Sequence, residues 1–541
     1  MQNSVRSKDT HSDKSHLPLG GFLVGSQESA HERFLQIGRT SIGGSNPMNM
    51  GNLLSASAER NPRKTAIVLE NESVSYEQLD RSTTSLAQWF LRHGCKPGDR
   101  IAFYWPNSIE TVKLFFACFK AGMIAVPVNV RMKPPEIAYV LQHSKAVMYF
   151  AHPDLMSVAE EARKGCAGLR TIQSTLEGLN EGAPEVPLRE VNDYDPAMVL
   201  YTSGTTARPK GVTHTHRTLL ECVKLTCSAA PDSLQTALVM TQMAFISAIC
   251  ASVLPTIVTG GTCVLVPAFD APLVLDLIER FQCSCTFGVP SMVQLLLEEQ
   301  ARRPRVVSTL RTFFAGGDSV PVSTQERFHA LFGISVREGY GMTETGPSIV
   351  NPADAIRSGS LGKALDGVEV RVVDSDVEDL PDDQTGEIVV RSPANFAGYW
   401  DDPAATRETL RDGWLHSGDL ARRDADGYLW FEGRKKEIIV RDGINIAPQE
   451  VEEALYNHPA VLEVAVIGMP DPAGARGERV LAFVSLRDGL VADEQELRDH
   501  ARQCLADFKI PERILFVKDL PKGITGKVQR RALKEIPYAA A

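Results

Sequence analysis

Apolar positions in this chain recur first at helical and then at strand spacing, and that alternation carries most of what can be read about its fold. From Ser75 to Arg92, Leu79, Leu86 and Phe90 share one helical face, Ser75 and Gln78 form a capping-box pair, and Gly94 supplies a stop, so a helix is predicted. Arg100 to Trp105 predicts a strand, Ile109 to Ala121 a second helix ended by Gly122, and Ile124 to Val128 an apolar strand. Strands separated by helical crossovers imply a parallel sheet covered on both faces, with ligands at the carboxyl ends of its strands.

The rhythm changes past residue 360, where short alternating stretches, Val368 to Val373 and Gly386 to Val390, are broken by Asp, Gly and Pro. From Arg434 onward the pattern predicts a helix (Gln449 to Tyr456), strands (Val461 to Gly468 and Val480 to Ser485) and a further helix (Glu494 to Cys504). The expected architecture is therefore α/β: a large N-terminal region of βαβ layers with a smaller β-rich subdomain, followed by a compact α+β C-terminal domain. The expected boundaries are 1–46 for a flexible tail, 47–433 for the large domain and 434–541 for the small one. The tail mixes Ser, Gly, His, Lys and Asp without an apolar signal-peptide core. Residues 233–269 carry no charge, but Pro255 and Gly260-Gly261 divide the run, so a buried helix followed by a buried strand is expected rather than a membrane span.

Composition narrows the class. With 541 residues the chain exceeds one ordinary core, and 43% hydrophobic with 23% charged residues is ordinary for a soluble protein. A formal charge of −10 argues against a general nucleic-acid binder, which needs surplus Lys and Arg. The ten cysteines are scattered, with no CxxC pair and no zinc spacing, and read as reduced thiols of a cytoplasmic enzyme. Cys283 and Cys285 are expected to face one way from a strand, as core.

The apolar strand Met198 to Tyr201 runs into Thr202-Ser203-Gly204-Thr205-Thr206-Ala207-Arg208-Pro209-Lys210-Gly211. Glycines let backbone amides approach an anion, hydroxyls donate to its oxygens, and Lys or Arg balances its charge, so the loop suits a polyphosphate. No Gly-Lys-Ser/Thr closes it, so it is not a Walker A loop. Further along stand Ala315-Gly316-Gly317-Asp318, Glu338-Gly339-Tyr340-Gly341-Met342-Thr343-Glu344-Thr345, Ser417-Gly418-Asp419-Leu420, Gly433-Arg434-Lys435-Lys436-Glu437 and Gly526-Lys527. In order and spacing these motifs resemble the adenylate-forming superfamily of acyl-CoA synthetases, peptide-synthetase adenylation domains and firefly-type luciferases. The resemblance covers residues 50–535.

The resemblance implies roles residue by residue. Thr202, Ser203, Gly204, Thr205, Thr206 and Lys210 would embrace the β and γ phosphates of ATP; Ala207 departs from the family, which usually has Gly there. Tyr340 would lie against adenine, bordered by Gly317 and Asp318, with Glu338, Gly339 and Gly341 among the nucleotide-binding positions. Thr343 would bond the α-phosphate, Glu344 would bind Mg2+, Asp419 would accept the ribose hydroxyls, and Arg434 would add a cation beside them. Lys527 would bridge the substrate carboxylate and the α-phosphate, stabilising charge in the transition state. In the family the small domain is mobile, turning between half-reactions about a hinge that Lys436 matches, and Gly443 would then leave room for the pantetheine of CoA.

The acid would lie along Phe245 and Ile246, with Gly288, Ala315, Gly316 and Gly341 as a small, uncharged wall. Phe245 takes the place of a His common in aryl and fatty acid ligases, and no Asp stands nearby to hold an ammonium. A medium or long fatty acid is expected first and an aryl acid next. The co-substrates would be ATP and CoA; a homodimer stays open. Two other readings also stay open: loading a carrier-protein pantetheine in trans, and a luciferase-type oxidation, which Val440 and Asp442 disfavour in place of the lysines usual there. Lys527→Ala is expected to abolish acid-dependent pyrophosphate exchange while supplied acyl adenylate still reacts with CoA; undiminished exchange in that variant would refute the assignment.

Overall fold

The computed structural model describes residues 49–176, 179, 186–188, 190–202, 208–442, 444–471, 477–523 and 527–537. The proposed tail, residues 1–46, lies outside them. Asn49 caps helix Met50–Arg60, its side chain accepting from the Asn52 amide at 3.0 Å. The predicted capping box is present on helix Tyr76–Arg92, with Ser75 and Gln78 bonding reciprocally, and helix Ile109–Ala121 ends at Gly122 in the left-handed conformation.

Two large sheets form the N-terminal region. A nine-stranded sheet sets six parallel strands side by side in the order Thr65–Leu69, Thr262–Leu265, Thr236–Val239, Cys285–Gly288, Thr312–Ala315 and Val336–Met342. Antiparallel strands extend both of its edges, Glu72–Ser75 on one side, Gly346–Val350 and Lys363–Ala364 on the other. A seven-stranded sheet is parallel from Thr171–Gln173 through Met148–Ala151, Arg100–Tyr104 and Ile124–Pro127 to Pro196–Thr202, then antiparallel through Lys210–Thr215 and Gly398–Tyr399. The core shared by these sheets includes Phe90, Phe103, Phe115, Phe116 and Phe119, with Phe103 and Phe115 edge to face at 4.9 Å.

The expected β-rich subdomain is a five-stranded antiparallel sheet built on Glu369–Val373, Gly386–Arg391, Trp414–Arg423 and Leu429–Arg434, with the short Leu410–Arg411. Beyond it, hairpin Ile439–Arg441 and Ile444–Ile446 joins a three-stranded sheet (Val461–Pro470, Glu478–Leu486, Arg513–Phe516) and helices Pro448–Tyr456 and Glu494–Ala501. Ile439, Ile446, Val451 and Leu497 share that unit's own buried core.

Two expectations are corrected. The charge-free run contains strand Thr236–Val239 before its helix, and Pro255 lies inside the helical stretch rather than dividing it. A π-helical turn, Ile249–Val253, precedes Pro255, and such a turn shifts the bonding register where proline offers no amide hydrogen. Cys283 and Cys285 are both buried, but they enter different cores, because the strand begins only at Cys285 and its two-residue period does not reach back to Cys283. Burial pushes the Cys285 thiol up to about 12. Eight cysteines are buried, while Cys166 is half-buried and Cys504 exposed. Among the described residues no helix is long and apolar enough to cross a membrane.

Gly362 joins the nine-stranded sheet to the five-stranded one. It has φ +93°, bridges to Leu429, and a Cβ there would stand 2.1 Å from the Val350 carbonyl carbon. Gly362→Ala is expected to destabilise the protein by more than about 3 kcal/mol in urea titrations, the sum of left-handed strain and a backbone clash. Gly367→Ala, at φ +84° with nothing within 4 Å, serves as the control. Its cost is expected to stay near 1 kcal/mol, about that of the strain alone.

Candidate active site

Antiparallel partners at the ends of the two large sheets hold the motifs. Thr202 and Lys210 are cross-strand neighbours, so the phosphate-loop candidates leave and re-enter the sheet at one point. Ser203, Gly204, Thr205, Thr206 and Ala207 lie outside the described residues. The Lys210 ammonium stands 4.5 Å from the centroid of the Tyr399 ring, over its face.

The Thr343-Glu344 turn is gripped from three sides. Thr345 Oγ1 accepts from the Met342 amide at 3.0 Å, and the Glu344 carbonyl accepts from the Phe396 amide at 2.7 Å. The third grip is His214, whose Nε2 lies 2.7 Å from the Thr343 carbonyl while Nδ1 lies 3.0 Å from Thr218 Oγ1. A carbonyl only accepts, so Nε2 carries the proton, and burial lowers the imidazole to about 4, keeping it neutral. Glu344 is 7% exposed and its Oε1 accepts from the Tyr399 hydroxyl at 2.8 Å. Burial raises the Glu344 carboxyl, opposed by the Tyr399 hydrogen bond and by Lys210.

Tyr340, Asp419, Arg434 and Lys527 meet across three parts of the chain. The Tyr340 hydroxyl donates to Asp419 Oδ2 at 2.8 Å, and Asp419 Oδ1 lies 3.3 Å from Arg434 Nε, its cross-strand partner. Asp419 is 6% exposed, and burial raises it against the pull of Arg434, Tyr340 and Lys527. Lys527 comes from the C-terminal unit, and its Cε would be 3.5 Å from a Cβ at Gly317, which has φ +88°. Burial lowers the Lys527 ammonium and Arg434 adds to this, while Asp318, Asp419 and Glu437 oppose. Lys527 is anchored nearby through Arg530, which bonds both Glu452 carboxylate oxygens at 2.6 and 2.9 Å and approaches Glu437 at 3.4 Å.

The remaining candidates divide. Gly317 and Asp318 are exposed beside Lys527, and Lys436 is exposed in the turn after strand Leu429–Arg434. Gly443 lies outside the described residues. Glu338 turns away from the surface: it is 2% exposed and accepts from the Val320 amide at 3.2 Å and Gln325 Nε2 at 2.8 Å, pinning the loop that carries Asp318. Phe245 and Ile246 are half-buried, Ile246 along the edge of the inter-sheet core. The small wall has a different cause from the one expected. Added methyls would fall 2.7 Å from Met240 Cε at Gly288, 2.8 Å from the Gly339 carbonyl at Gly316, 2.9 Å from the Ile349 carbonyl at Gly339 and 2.3 Å from the Gly346 carbonyl at Gly341. Ala315 packs into the core beside Phe313 and Val293. At Gly316, Gly339 and Gly341 the crowding atoms are backbone, so those residues are small for packing, whereas at Gly288 the crowding atom is the movable end of Met240.

Sequence reasoning passed over His214, Tyr399 and Arg530. The last is foreshadowed by its place three residues after Lys527, whereas nothing local marks the other two. Among the described residues no three His, Cys, Asp or Glu side chains gather as a metal site.

This assembly of sheets, motif turns and an inserted C-terminal lysine defines an adenylate-forming enzyme. The sequence matches the family described as AMP-binding enzyme over residues 54–400 and the AMP-binding enzyme C-terminal domain over residues 450–527, and the chain belongs to that family. A feruloyl-CoA synthase of an Amycolatopsis species is 36% identical over 477 residues, spanning 87% of this chain and 95% of that protein. The long-chain-fatty-acid–CoA ligase FadD13 of Mycobacterium tuberculosis is 30% identical over 498 residues, 90% of this chain and 98% of its own. Among solved structures, the anthranilate CoA ligase AuaEII in complex with anthranoyl-AMP superposes with a TM-score of 0.86 at 27% identity, covering 92% of this chain and 98% of that one.

Glu338 yields a pH signature. Burial is the main cause that pushes its carboxyl up to about 8, aided by Asp318 and Glu453 and opposed by the Val320 amide and Gln325. An unfolded Glu titrates near about 4.3, so between that pH and 8 the native state holds a proton that the unfolded chain has lost. Its contribution to stability is full below this window and is lost as pH rises through it. Thermal melts from pH 5 to 9 are expected to show a smaller loss of stability with rising pH in Glu338→Gln than in the parent; equal slopes would contradict the assignment.

Proposed function

We propose that this chain is an ATP-dependent, AMP-forming acid–thiol ligase that adenylates a hydrophobic carboxylic acid, releases pyrophosphate and passes the acyl group to CoA. The observation that carries the reading is Lys527, delivered by the C-terminal unit to Gly317 and within electrostatic reach of Asp419 and Arg434. A carboxylate has no adequate leaving group, so the first half-reaction must join it to the α-phosphate, and an ammonium placed between the two stabilises the charge that develops there. Thr202 and Lys210, with Ser203, Gly204, Thr205 and Thr206, hold the β and γ phosphates. Tyr340 faces the adenine, Asp419 and Arg434 the ribose, and Thr343 the α-phosphate.

The buried Glu344 carboxylate is a hard oxygen donor suited to Mg2+, and with no three-residue cluster among the described residues, phosphate oxygens and water would complete the coordination. The bound ion would neutralise phosphate charge. We place the domain boundary in the turn after Arg434: Arg434 still belongs to the five-stranded sheet, while Ile439 already packs in the C-terminal core. That turn, which contains Lys436, is the hinge. Rotation there would withdraw Lys527 and bring hairpin Ile439–Ile446, with Gly443, to the cleft for the thiol step.

The acid is best read as aromatic, with a fatty acid second. Ile246, Phe287 and Tyr340 are each partly buried against the same core and Phe245 adjoins Ile246 in sequence, and the rings among them suit an aromatic acid. The feruloyl-CoA synthase and the anthranilate ligase support the aromatic choice, and FadD13 supports the second. Pyrophosphate release should be measured with ferulate, benzoate, anthranilate, octanoate, palmitate and acetate, with and without CoA. Release above the acetate level for an aryl acid, with its CoA thioester as product, is the expected result. Release without thioester would redirect the reading to carrier-protein loading, and oxygen uptake or light to adenylate oxidation.

A further inference from the structure

We propose that Tyr399 is a positioning residue that fixes Lys210 and Glu344 relative to each other on the phosphate side of the site. The inference rests on the reading of those two residues given above, but its observations are its own.

Tyr399 belongs to the short strand Gly398–Tyr399, whose Cα partners are Thr213 and Val212 on the strand that begins at Lys210. The pairing is reinforced on both sides: the Trp400 amide donates to the Gly211 carbonyl at 2.7 Å, and the Ala397 amide to the Thr213 carbonyl at 2.9 Å. The Tyr399 amide donates to Thr406 Oγ1 at 2.9 Å, which ties the segment to helix Pro403–Thr409. The side chain is therefore carried on a backbone locked to the Lys210 strand. Its ring packs edge to face on Phe396 at 4.9 Å, and the Phe396 amide holds the Glu344 carbonyl.

From this position one side chain addresses two opposite charges. Its face lies beneath the Lys210 ammonium at 4.5 Å, and its hydroxyl donates to Glu344 Oε1 at 2.8 Å. The ring's negative face suits the cation, and the phenolic proton suits the anion, so the residue keeps the two apart as well as in place. Without it, Lys210 and Glu344 would be free to approach directly, and a lysine paired with Glu344 would be less available to a phosphate. Phe396 and Tyr399 thus clamp Glu344 at its backbone and its carboxylate, and the clamp is built from the same strand pair that sets the stem of the phosphate loop.

The test is a double-mutant cycle of Tyr399→Phe and Glu344→Gln, read by calorimetric titration of unmodified ATP in the presence of Mg2+, and by acid-dependent pyrophosphate exchange. Phe keeps the ring and removes only the hydroxyl. Y399F is expected to weaken nucleotide binding by about tenfold, the scale of a hydrogen bond to a charged group, with the KM for the acid unchanged and the melting temperature lowered by no more than about 2 °C. Glu344→Gln is expected to cost about tenfold less in the Y399F background than alone. Tyr399→Leu, which also removes the face beneath Lys210, is expected to lose more than Phe and serves if Phe is not well folded. Additive effects in the cycle, or a larger fall in melting temperature with the acid KM rising as much as the nucleotide constant, overturn the proposal and leave a structural tyrosine. Absence of acid-dependent exchange in the unaltered protein would overturn the functional reading, and this proposal with it.

Discussion

The Asp419 carboxylate is where the separate parts of this enzyme meet, and its burial constrains all of them. An anion removed from water must be compensated nearby. A hydrogen bond comes from Tyr340 on the edge hairpin of the nine-stranded sheet, an ion pair from Arg434 on the adjacent strand of the five-stranded sheet, and Lys527 of the C-terminal unit lies within electrostatic reach. Displacing any one of these elements would leave charge in the cleft less well matched. The geometry of the site is thus tied to how three packed units lie against one another.

A second layer of support lies behind the residues facing the cleft. Glu338 pins the loop of Asp318 from within, His214 holds the Thr343 carbonyl, and Arg530 secures the approach to Lys527 through Glu452. None of these three needs to touch a substrate to matter. Each restrains the segment that carries a residue of the site.

The glycines of the site illustrate how easily a motif is given the wrong cause. Gly316 and Gly341 invite the idea of room for a hydrocarbon, yet added methyls would collide with the Gly339 carbonyl and the Gly346 carbonyl. Their smallness lets a parallel strand and a tight hairpin pack. Gly317 differs: its open, left-handed position faces Lys527.

Local sequence determined the elements and the chemical inventory. The capping box at Ser75, the stop at Gly122 and the ordered motifs from Thr202 to Lys527 are signals carried within a few residues of one another, and the family and fold class followed from them. Tertiary structure decided what depends on contacts between residues far apart in the chain. Cys283 and Cys285 separate into different cores because of where one strand begins, Pro255 sits inside a helix because a π turn precedes it, and Glu338 faces inward because Val320 and Gln325 await it. Tyr399 is the clearest case: 55 residues separate it from Glu344. A pattern of spacing cannot report such a bond, because only the pairing of strand Gly398–Tyr399 with the Lys210 strand brings the two together.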